Sequence, residues 1–229
     1  MSSRVLDTVL CAIALVAATP LLALAALGIK LTSPGPVLYR ASRVGRGGRI
    51  FSMYKLRTMH VERPTAAVAE SAITARDDPR VFPFGALLRW SKIDELPQLF
   101  NVLRGDMAIV GPRPEDPRYV TAHYAPIHFE TLDVRPGLTS PGSVWYYACA
   151  EEQLENGDAE RQYVERVLPL KLALDLVYLR RATMWSDVAV IARTVGVLLG
   201  RFVGRRAFAD PPEMSEARRF VVRGVAVAL

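Results

Sequence analysis

The sequence predicts an α+β protein, in which an apolar N-terminal helix precedes a single domain of helices and a small β-hairpin. Three observations support this prediction. An uncharged run covers residues 8–29, two β-prone segments flank a glycine-rich turn at residues 45–48, and apolar residues recur at helical spacing across residues 186–202. The 229 residues suffice for one compact domain with a sizeable core.

Composition and charge point to an anionic partner. The chain is 51% hydrophobic, yet it carries a net charge of +6. No acidic residue lies between Asp7 and Glu62, and this stretch contains seven cations: Lys30, Arg40, Arg43, Arg46, Arg49, Lys55 and Arg57. A one-signed region of this size predicts binding to nucleic acid, acidic lipid or a phosphorylated substrate, with a solvated basic face as the alternative.

The two cysteines indicate neither a disulfide framework nor a metal site. Cys11 lies in the apolar run and Cys149 lies far from it, without a metal-ligand or redox spacing. This pattern favours a reducing compartment.

The uncharged run at residues 8–29 is long enough to cross a hydrocarbon layer as a helix. Thr19-Pro20 stands at its centre, where proline removes a helical hydrogen bond and predicts a kink or a break. Three interpretations remain open: a cleaved signal peptide, a spanning helix, and a helix that returns to the same leaflet. The residues alone favour the spanning helix, because kinked spanning helices are common.

The next elements follow from turn signals and alternating residues. The segments "VLYRASRV" and "RIFSMYKLRTM" predict a hairpin. Residues 62–75 are small and polar, and predict a loop or a weak helix. A short helix is expected over residues 84–90.

A second helix is expected in the segment "SKIDELPQLFNVLRGDMAIVGPRP", which covers residues 91–114. A capping box would start it at Ser91, whereas Pro97 favours a start nearer Leu96. Gly105 should end it. The letters "MAIV" then predict a short buried strand, and residues 111–114 predict a stiff turn.

This segment also contains chemically active groups. Asp94 and Glu95 are adjacent carboxylates, which can hold Mg²⁺ or, through one of them, attack phosphorus. Arg113 lies between two prolines, as a preorganised anion clamp requires. The alternative is that these are ordinary first-turn acids and an ordinary turn residue, and the residues alone favour that alternative.

Six segments together resemble the monotopic phosphoglycosyl transferases of bacteria, in the small catalytic-core form. They are "SPGPVLYR", "RVGRGGRIFSMYKLRTM", "DDPRV", "KIDELPQLFNVLRGDMAIVGPRP", "DVRPGLT" and "ALDLVYLRRATMWSD", in this order. The resemblance covers nearly the whole chain, and "DELPQLFNVLRGDM" with "GPRP" is its most specific part.

The resemblance implies a reaction and a set of site residues. A phospho-sugar passes from a UDP-sugar to a polyprenyl phosphate, usually undecaprenyl phosphate, and UMP is released. This is the first membrane step of glycan, exopolysaccharide or glycoconjugate assembly. Asp94 is the implied nucleophile, and Mg²⁺ is the implied cofactor, held by Asp94 and Glu95. The implied phosphate- or substrate-binding residues are Lys55, Arg89, Arg113 and Asp175.

The resemblance also implies a place at the membrane. Residues 1–31 would form a re-entrant helix broken at Thr19 and Pro20, and residues 32–210 a catalytic domain with amphipathic interfacial helices. Residues 211–229 have no counterpart. The expected location is the cytoplasmic face of the bacterial inner membrane, in contact with membrane lipid. For the basic helix over residues 186–202, two interpretations remain open: it lies on an anionic leaflet, or it faces the core.

The chain departs from the family pattern at Ala41, where Gln is common, at Ser140, where Gly is usual, and in "PGSVWYYACAEEQ". No role is assigned to a residue of that last loop. Two other hypotheses remain: a non-catalytic basic adaptor of a glycan-assembly complex, and a nucleic-acid binder, for which no motif is found, so that no nucleic acid is expected. The sugar and the oligomeric state, a homo-oligomer included, are left open.

Overall fold

The structure is a computed structural model that describes residues 4–61, 78–150, 154 and 159–227, with side-chain surroundings up to residue 221. It is a mixed, helix-rich structure with small sheets, which agrees with the predicted class. The helices are α1 (Arg4–Thr32), α2 (Pro83–Trp90), α3 (Gln98–Arg104), α4 (Pro117–His123), α5 (Pro141–Trp145), α6 (Ala159–Gln162), α7 (Leu168–Leu179), α8 (Met184–Phe202) and α9 (Met214–Val227). The strands are β1 (Leu38–Val44), β2 (Ile50–Leu56), β3 (Ala108–Val110) and β4 (Gly137–Thr139).

The apolar N-terminal run forms one long helix, α1, and Pro20 lies inside it. The predicted break at Thr19 and Pro20 is not confirmed, because the helix is assigned without interruption from Arg4 to Thr32. Proline removes a single amide donor, and the helical hydrogen bonds before and after it can continue. Length and composition make α1 a candidate membrane helix. Only 11% of its most apolar 18-residue segment is buried against the rest of the protein.

Both ends of α1 contact the rest of the protein. At the start, the Arg4 guanidinium donates hydrogen bonds to the carbonyls of Val102 (2.5 Å) and Leu103 (2.8 Å), in the last turn of α3. At the end, Ile29 is fully buried and belongs to a cluster with Leu56 of β2. The first and last turns of α1 therefore pack against the same domain.

The predicted hairpin is confirmed. Strands β1 and β2 pair antiparallel, with Leu38 opposite Leu56 and Ala41 opposite Met53. Ala41 and Met53 are buried in a cluster with residues of α1 and α3. Because Lys55 lies near the end of β2, this packing fixes its position relative to α3.

The segment between α2 and α3 confirms the later of the two predicted helix starts. Ser91 ends α2, since its hydroxyl donates to the Leu87 carbonyl at 2.8 Å. A 3₁₀ turn then covers Ile93–Glu95, and α3 begins at Gln98. Gly105 ends α3 with a φ of 91°, as predicted.

The predicted strand "MAIV" forms β3, and it pairs in parallel with β4, which was not predicted. The two strands lead into the turn that carries Arg113. Gly111 and Gly137 approach so closely here that a Cβ on Gly137 would lie 2.2 Å from the Gly111 nitrogen. Glycine is required because any side chain would collide with the opposing backbone.

Helix α7 lies at the centre of the domain and is buried over most of its length. Helix α9, in the unmatched C-terminal segment, packs Met214 and Ala217 against Ala173 and Leu174 of α7. The division into residues 1–31, 32–210 and 211–229 stays a prediction. The expectation for residues 62–75 lies outside the described residues.

Helix α8 confirms the predicted helix, and its predicted apolar stripe is only partly buried. Val188, Val195 and Phe202 are each about half exposed, at 51%, 48% and 53%. The buried positions are instead Asp187, Val190 and Val197. Ile191 of the same stripe is partly buried against the cluster of Val110, Tyr178 and Val190, so both interpretations of this helix stay open.

Candidate active site

The two adjacent carboxylates lie on the 3₁₀ turn between α2 and α3, and their surroundings differ. Asp94 is only 6% exposed. Its Oδ1 is buried and accepts no hydrogen bond from any residue that the structure describes. An anionic oxygen in this condition is costly unless a ligand or a metal ion completes its contacts.

Glu95 is held from three sides. Lys55 donates to its Oε1 at 3.1 Å, and Arg113 donates to its Oε2 at 2.5 Å. The Tyr147 hydroxyl lies 3.3 Å from both carboxylate oxygens. Glu95 therefore organises the cations of the site.

The electrostatics separate the two carboxylates further. Burial raises the pKa of Asp94 to about 6, and the charge of Glu95 adds to this, although Lys55 opposes it. Burial also acts to raise the pKa of Glu95, but the charges of Arg113 and Lys55 outweigh it and hold that pKa well below its ordinary value. Glu95 is thus held as an anion, whereas burial makes Asp94 harder to ionise, and its Oδ1 has no partner among the described residues.

Arg113 is a rigidly presented cation, as its proline-flanked position predicts. Its Nη1 donates to Gln98 Oε1 at 3.1 Å and to the Leu138 carbonyl at 3.0 Å, and its Nη2 reaches Glu95. Burial alone would lower its pKa, but Glu95 and Tyr147 raise it. The guanidinium therefore stays charged while only 9% of the side chain is exposed.

Lys55 and Arg89 complete the group of predicted residues that the fold brings together. Burial lowers the pKa of Lys55, although Glu95 opposes this. Arg89, on α2, donates to Thr58 Oγ1 at 3.4 Å, and its charge is close enough to lower the pKa of Asp94. Both cations thus lie close to the two carboxylates.

Asp175, the remaining predicted residue, is placed differently. Its Oδ1 accepts a hydrogen bond from the Gly142 amide at 2.9 Å, and its Oδ2 accepts one from the Ser140 hydroxyl at 3.2 Å. Burial raises its pKa to about 6, opposed by these bonds and by the backbone of Arg113. Asp175 therefore lies behind the Arg113 turn, and a role in binding substrate stays a prediction.

A buried ion pair near Asp175 was not predicted from the sequence. Lys171 donates to Glu115 at 2.5 Å and to the Tyr163 hydroxyl at 3.1 Å, and Tyr163 in turn donates to Glu115 at 2.9 Å. Glu115 follows Pro114 directly, so this pair supports the end of the Arg113 turn. Its one signal in the sequence is a lysine among apolar residues in "LPLKLALD".

Sequence reasoning also missed three residues beside the carboxylates: Lys92, Gln98 and Tyr147. Lys92 and Gln98 both lie within the quoted segment 91–114. Lys92 directly follows Ser91, the residue that caps the C-terminal end of α2. Tyr147 lies in the loop to which no role was assigned. Its signal was the consecutive aromatic pair Tyr146-Tyr147.

The site fits the expected magnesium ion in one respect. Mg²⁺ binds oxygen ligands and commonly uses one or two carboxylates together with substrate phosphates. Asp94 Oδ1 is available for this, and Glu95 is adjacent but already contacts two cations. Among the described residues no cluster of three metal-ligating side chains occurs, so water and substrate oxygens would complete the coordination.

Known proteins resemble this chain over most of its length. The bacterial sugar transferase family matches residues 1–201. A UDP-glucose:undecaprenyl-phosphate glucose-1-phosphate transferase of Caulobacter vibrioides is 41% identical, over 87% of this chain and 70% of that protein. A protein of the same name from Xanthomonas campestris is 37% identical, over 85% of this chain but 38% of its own length.

A relative with a different sugar in its name is also similar. The UDP-N-acetylgalactosamine-undecaprenyl-phosphate N-acetylgalactosaminephosphotransferase of Aeromonas hydrophila is 34% identical, over 88% of this chain and 44% of that protein. This chain thus spans less than half of the Xanthomonas and Aeromonas relatives. The matched residues 1–201 contain every predicted site residue. The chain belongs to the bacterial sugar transferase family, a family of transferase enzymes.

Proposed function

We propose that this protein transfers a sugar phosphate from a UDP-sugar to undecaprenyl phosphate and releases UMP. The observation that carries the proposal is the buried, unsatisfied Oδ1 of Asp94 beside a Glu95 that is fixed by two cations. The names of the relatives supply the substrate class, and the nucleophile is our inference. A non-catalytic adaptor is not favoured, because the relatives are named as transferases.

The reaction has two displacements at one phosphorus atom. A carboxylate oxygen of Asp94 attacks the phosphorus next to the sugar, an aspartyl phospho-sugar bond forms, and the bond to UMP breaks, so that UMP leaves with the electron pair. A phosphate oxygen of undecaprenyl phosphate then attacks the same phosphorus and releases the Asp94 carboxylate.

The cations of the site make this attack feasible. An anionic carboxylate approaches an anionic diphosphate only if positive charge lowers their repulsion. Arg113 and Lys55 provide fixed charge on the Glu95 side, and Arg89 lies on the Asp94 side. Mg²⁺, held by Asp94 and Glu95 when bound, would supply further charge neutralisation at the diphosphate.

We further propose that α1 enters and leaves the same leaflet of the inner membrane, from its cytoplasmic face. The supporting contacts are those of Arg4 with α3 and of Ile29 with the β2 cluster. If α1 crossed the bilayer, its two ends would lie on opposite sides, and only one of them would meet the domain. The exposed stripe of α8, including Val188 and Phe202, is suited to lie in the membrane–water interface of the same leaflet.

The test is UMP release by the full chain in detergent, given undecaprenyl phosphate, Mg²⁺ and a panel of UDP-sugars. We expect release with at least one donor and none from Asp94→Asn. Asp210→Asn is the matched control, because Asp210 is an exposed acid that pairs with Arg218 at 3.5 Å. Turnover by Asp94→Asn at the wild-type rate would refute the nucleophile, and silence across the panel from folded protein would refute the reaction.

A further inference from the structure

Tyr147 belongs to the loop that departs from the family pattern and to which the sequence assigned no role. It lies in a π-helical turn, Tyr146–Ala150, which directly continues α5. π-Helical turns are rare, and they occur frequently at functional sites. The type of turn is therefore a first indication that Tyr147 has a role in the reaction.

The backbone that carries Tyr147 is anchored at two points. In α5, the Gly142 amide donates a hydrogen bond to Asp175 of α7 at 2.9 Å. At Tyr147 itself, the carbonyl accepts a hydrogen bond from Arg201, in the last turn of α8, at 2.9 Å. Two long helices thus determine the position from which the tyrosine side chain reaches the active site.

The Tyr147 hydroxyl contacts the carboxylate that already holds two cations. It donates to Glu95 and lies 3.3 Å from both carboxylate oxygens. Lys55 bonds one of these oxygens and Arg113 bonds the other. A glutamate carboxylate turns easily about its last torsion, and such a turn would displace both contacts. Three donors fix the plane of the carboxylate more firmly than two.

We propose that Tyr147 is a positioning residue for the transfer reaction, an inference that rests on the proposed function. Its hydroxyl holds Glu95 in the orientation in which Lys55 and Arg113 stand beside Asp94. A small displacement of charged groups around a reacting phosphate lowers the rate strongly. The proposal uses the bond to Glu95 and requires neither a contact with substrate nor the absence of other contacts of the tyrosine.

The length of this hydrogen bond predicts which property depends on it. At 3.3 Å, the distance exceeds the usual range for a hydroxyl donor, so the bond contributes little to the stability of the fold. Hydrogen bonds of an active site are often long without substrate and become shorter in the substrate complex. Loss of the hydroxyl should therefore change turnover more than stability.

The experiment compares wild type with Tyr147→Phe, which keeps the ring and removes the hydroxyl. UMP release by the full chain in detergent, with Mg²⁺, gives kcat and the KM of the UDP-sugar and of undecaprenyl phosphate. We expect kcat to fall about tenfold while both KM values stay within about threefold of wild type. The thermal midpoint should stay within about three degrees.

Tyr119→Phe is the matched control. The Tyr119 hydroxyl also donates to a carboxylate, that of Glu160 at 2.9 Å, and neither residue belongs to the candidate active site. This variant loses a shorter bond of the same kind. Its thermal midpoint should fall by a few degrees, and its kcat should equal that of wild type.

Three results would overturn the inference and leave the proposed function standing. They are a kcat of Tyr147→Phe within about twofold of wild type, a loss confined to KM, and an equal fall in kcat for Tyr119→Phe. The second would make Tyr147 a substrate-binding residue, and the third would show a general dependence of turnover on stability. Absence of UMP release by folded wild type would instead refute the proposed function, and this inference with it.

Discussion

Two buried polar regions lie on either side of the Arg113 turn and differ in how completely their atoms are paired. The first is the dyad turn, residues 92–98, where Asp94 Oδ1 and Gln98 Nε2 have no hydrogen-bond partner among the described residues. The second is the support layer, formed by Glu115, Tyr163, Lys171 and Asp175, whose charged groups contact one another or nearby backbone and hydroxyl groups. Both regions are removed from water, so burial alone does not distinguish them.

The difference separates a reacting site from its scaffold. A buried polar atom without a partner costs free energy, and it is tolerated where a ligand later supplies the missing contact. A saturated network instead holds its surroundings in one arrangement. Substitutions of Asp94 and Gln98 should therefore lower activity and spare stability, whereas substitutions in the support layer should do the reverse.

Asp94→Asn should have the largest effect. We expect turnover to fall by at least about 10⁴-fold, because the nucleophile is lost. The free energy of unfolding should not decrease, since the amide replaces a buried carboxylate of similar shape whose Oδ1 has no partner among the described residues. UMP release and chemical unfolding check the two parts. A clearly destabilised variant would mean that Asp94 belongs to the scaffold.

Lys171→Met should have the largest effect on stability. It leaves Glu115 charged and buried without its ion-pair partner, which costs about 3–5 kcal/mol. The double variant with Glu115→Gln should recover part of this loss. Arg180→Met is the control: it breaks an exposed pair with Glu130 and should cost at most about 1 kcal/mol. Equal losses from Lys171→Met and the control, in urea unfolding, would contradict a support role.

Asp175 should make stability depend on pH. Its pKa in the folded protein is about 6, above its ordinary value of 3.8, so the folded state holds the proton more tightly than the unfolded state. The stabilisation that the Asp175 proton gives to the folded state is complete below about pH 4 and is lost as the pH rises through 6. It amounts to roughly 3 kcal/mol. Wild type should therefore lose stability relative to Asp175→Asn between pH 4 and 7.5. If the free energies of unfolding of the two proteins changed equally with pH, this titration would be excluded.

Gln98→Met should have the smallest effect. The amide accepts one hydrogen bond from Arg113, and its Nε2 has no partner within the described part of the chain. We expect the free energy of unfolding to change by less than about 1 kcal/mol. Turnover should fall by about tenfold, because Arg113 keeps its contacts with Glu95 and Leu138 but is less firmly held. A loss of stability without a loss of turnover would move Gln98 into the support layer.

Much of the fold was predictable because its signals are local. The glycine turn between two alternating segments predicted β1 and β2, and Pro97 and Gly105 marked the limits of α3. Pairing over a longer range was not predictable in the same way. Strand β4 has only three residues and pairs with β3 across 26 intervening residues, which leaves no periodic pattern to read.

The site was predictable in part for the same reason. Asp94, Glu95 and Arg113 share one quoted motif, and the structure brings Lys55 and Arg89 to them. Tyr147 was missed because it approaches Glu95 from a segment without a recognisable pattern. Lys171 was missed because a lysine among apolar residues of a helix sequence does not show which distant carboxylate it meets.

The sequence by itself determined the apolar run, the cationic first quarter, the local elements and the presence of two adjacent carboxylates near a stiff arginine turn. These features depend on neighbouring residues, through backbone preference, periodicity and charge. The tertiary structure alone decided that Glu95 is paired, whereas Asp94 Oδ1 has no hydrogen-bond partner in the described part of the chain. Lys55, Arg113 and Tyr147 reach Glu95 from 40, 18 and 52 positions away, and loss of water around each carboxylate depends on every segment that packs over it.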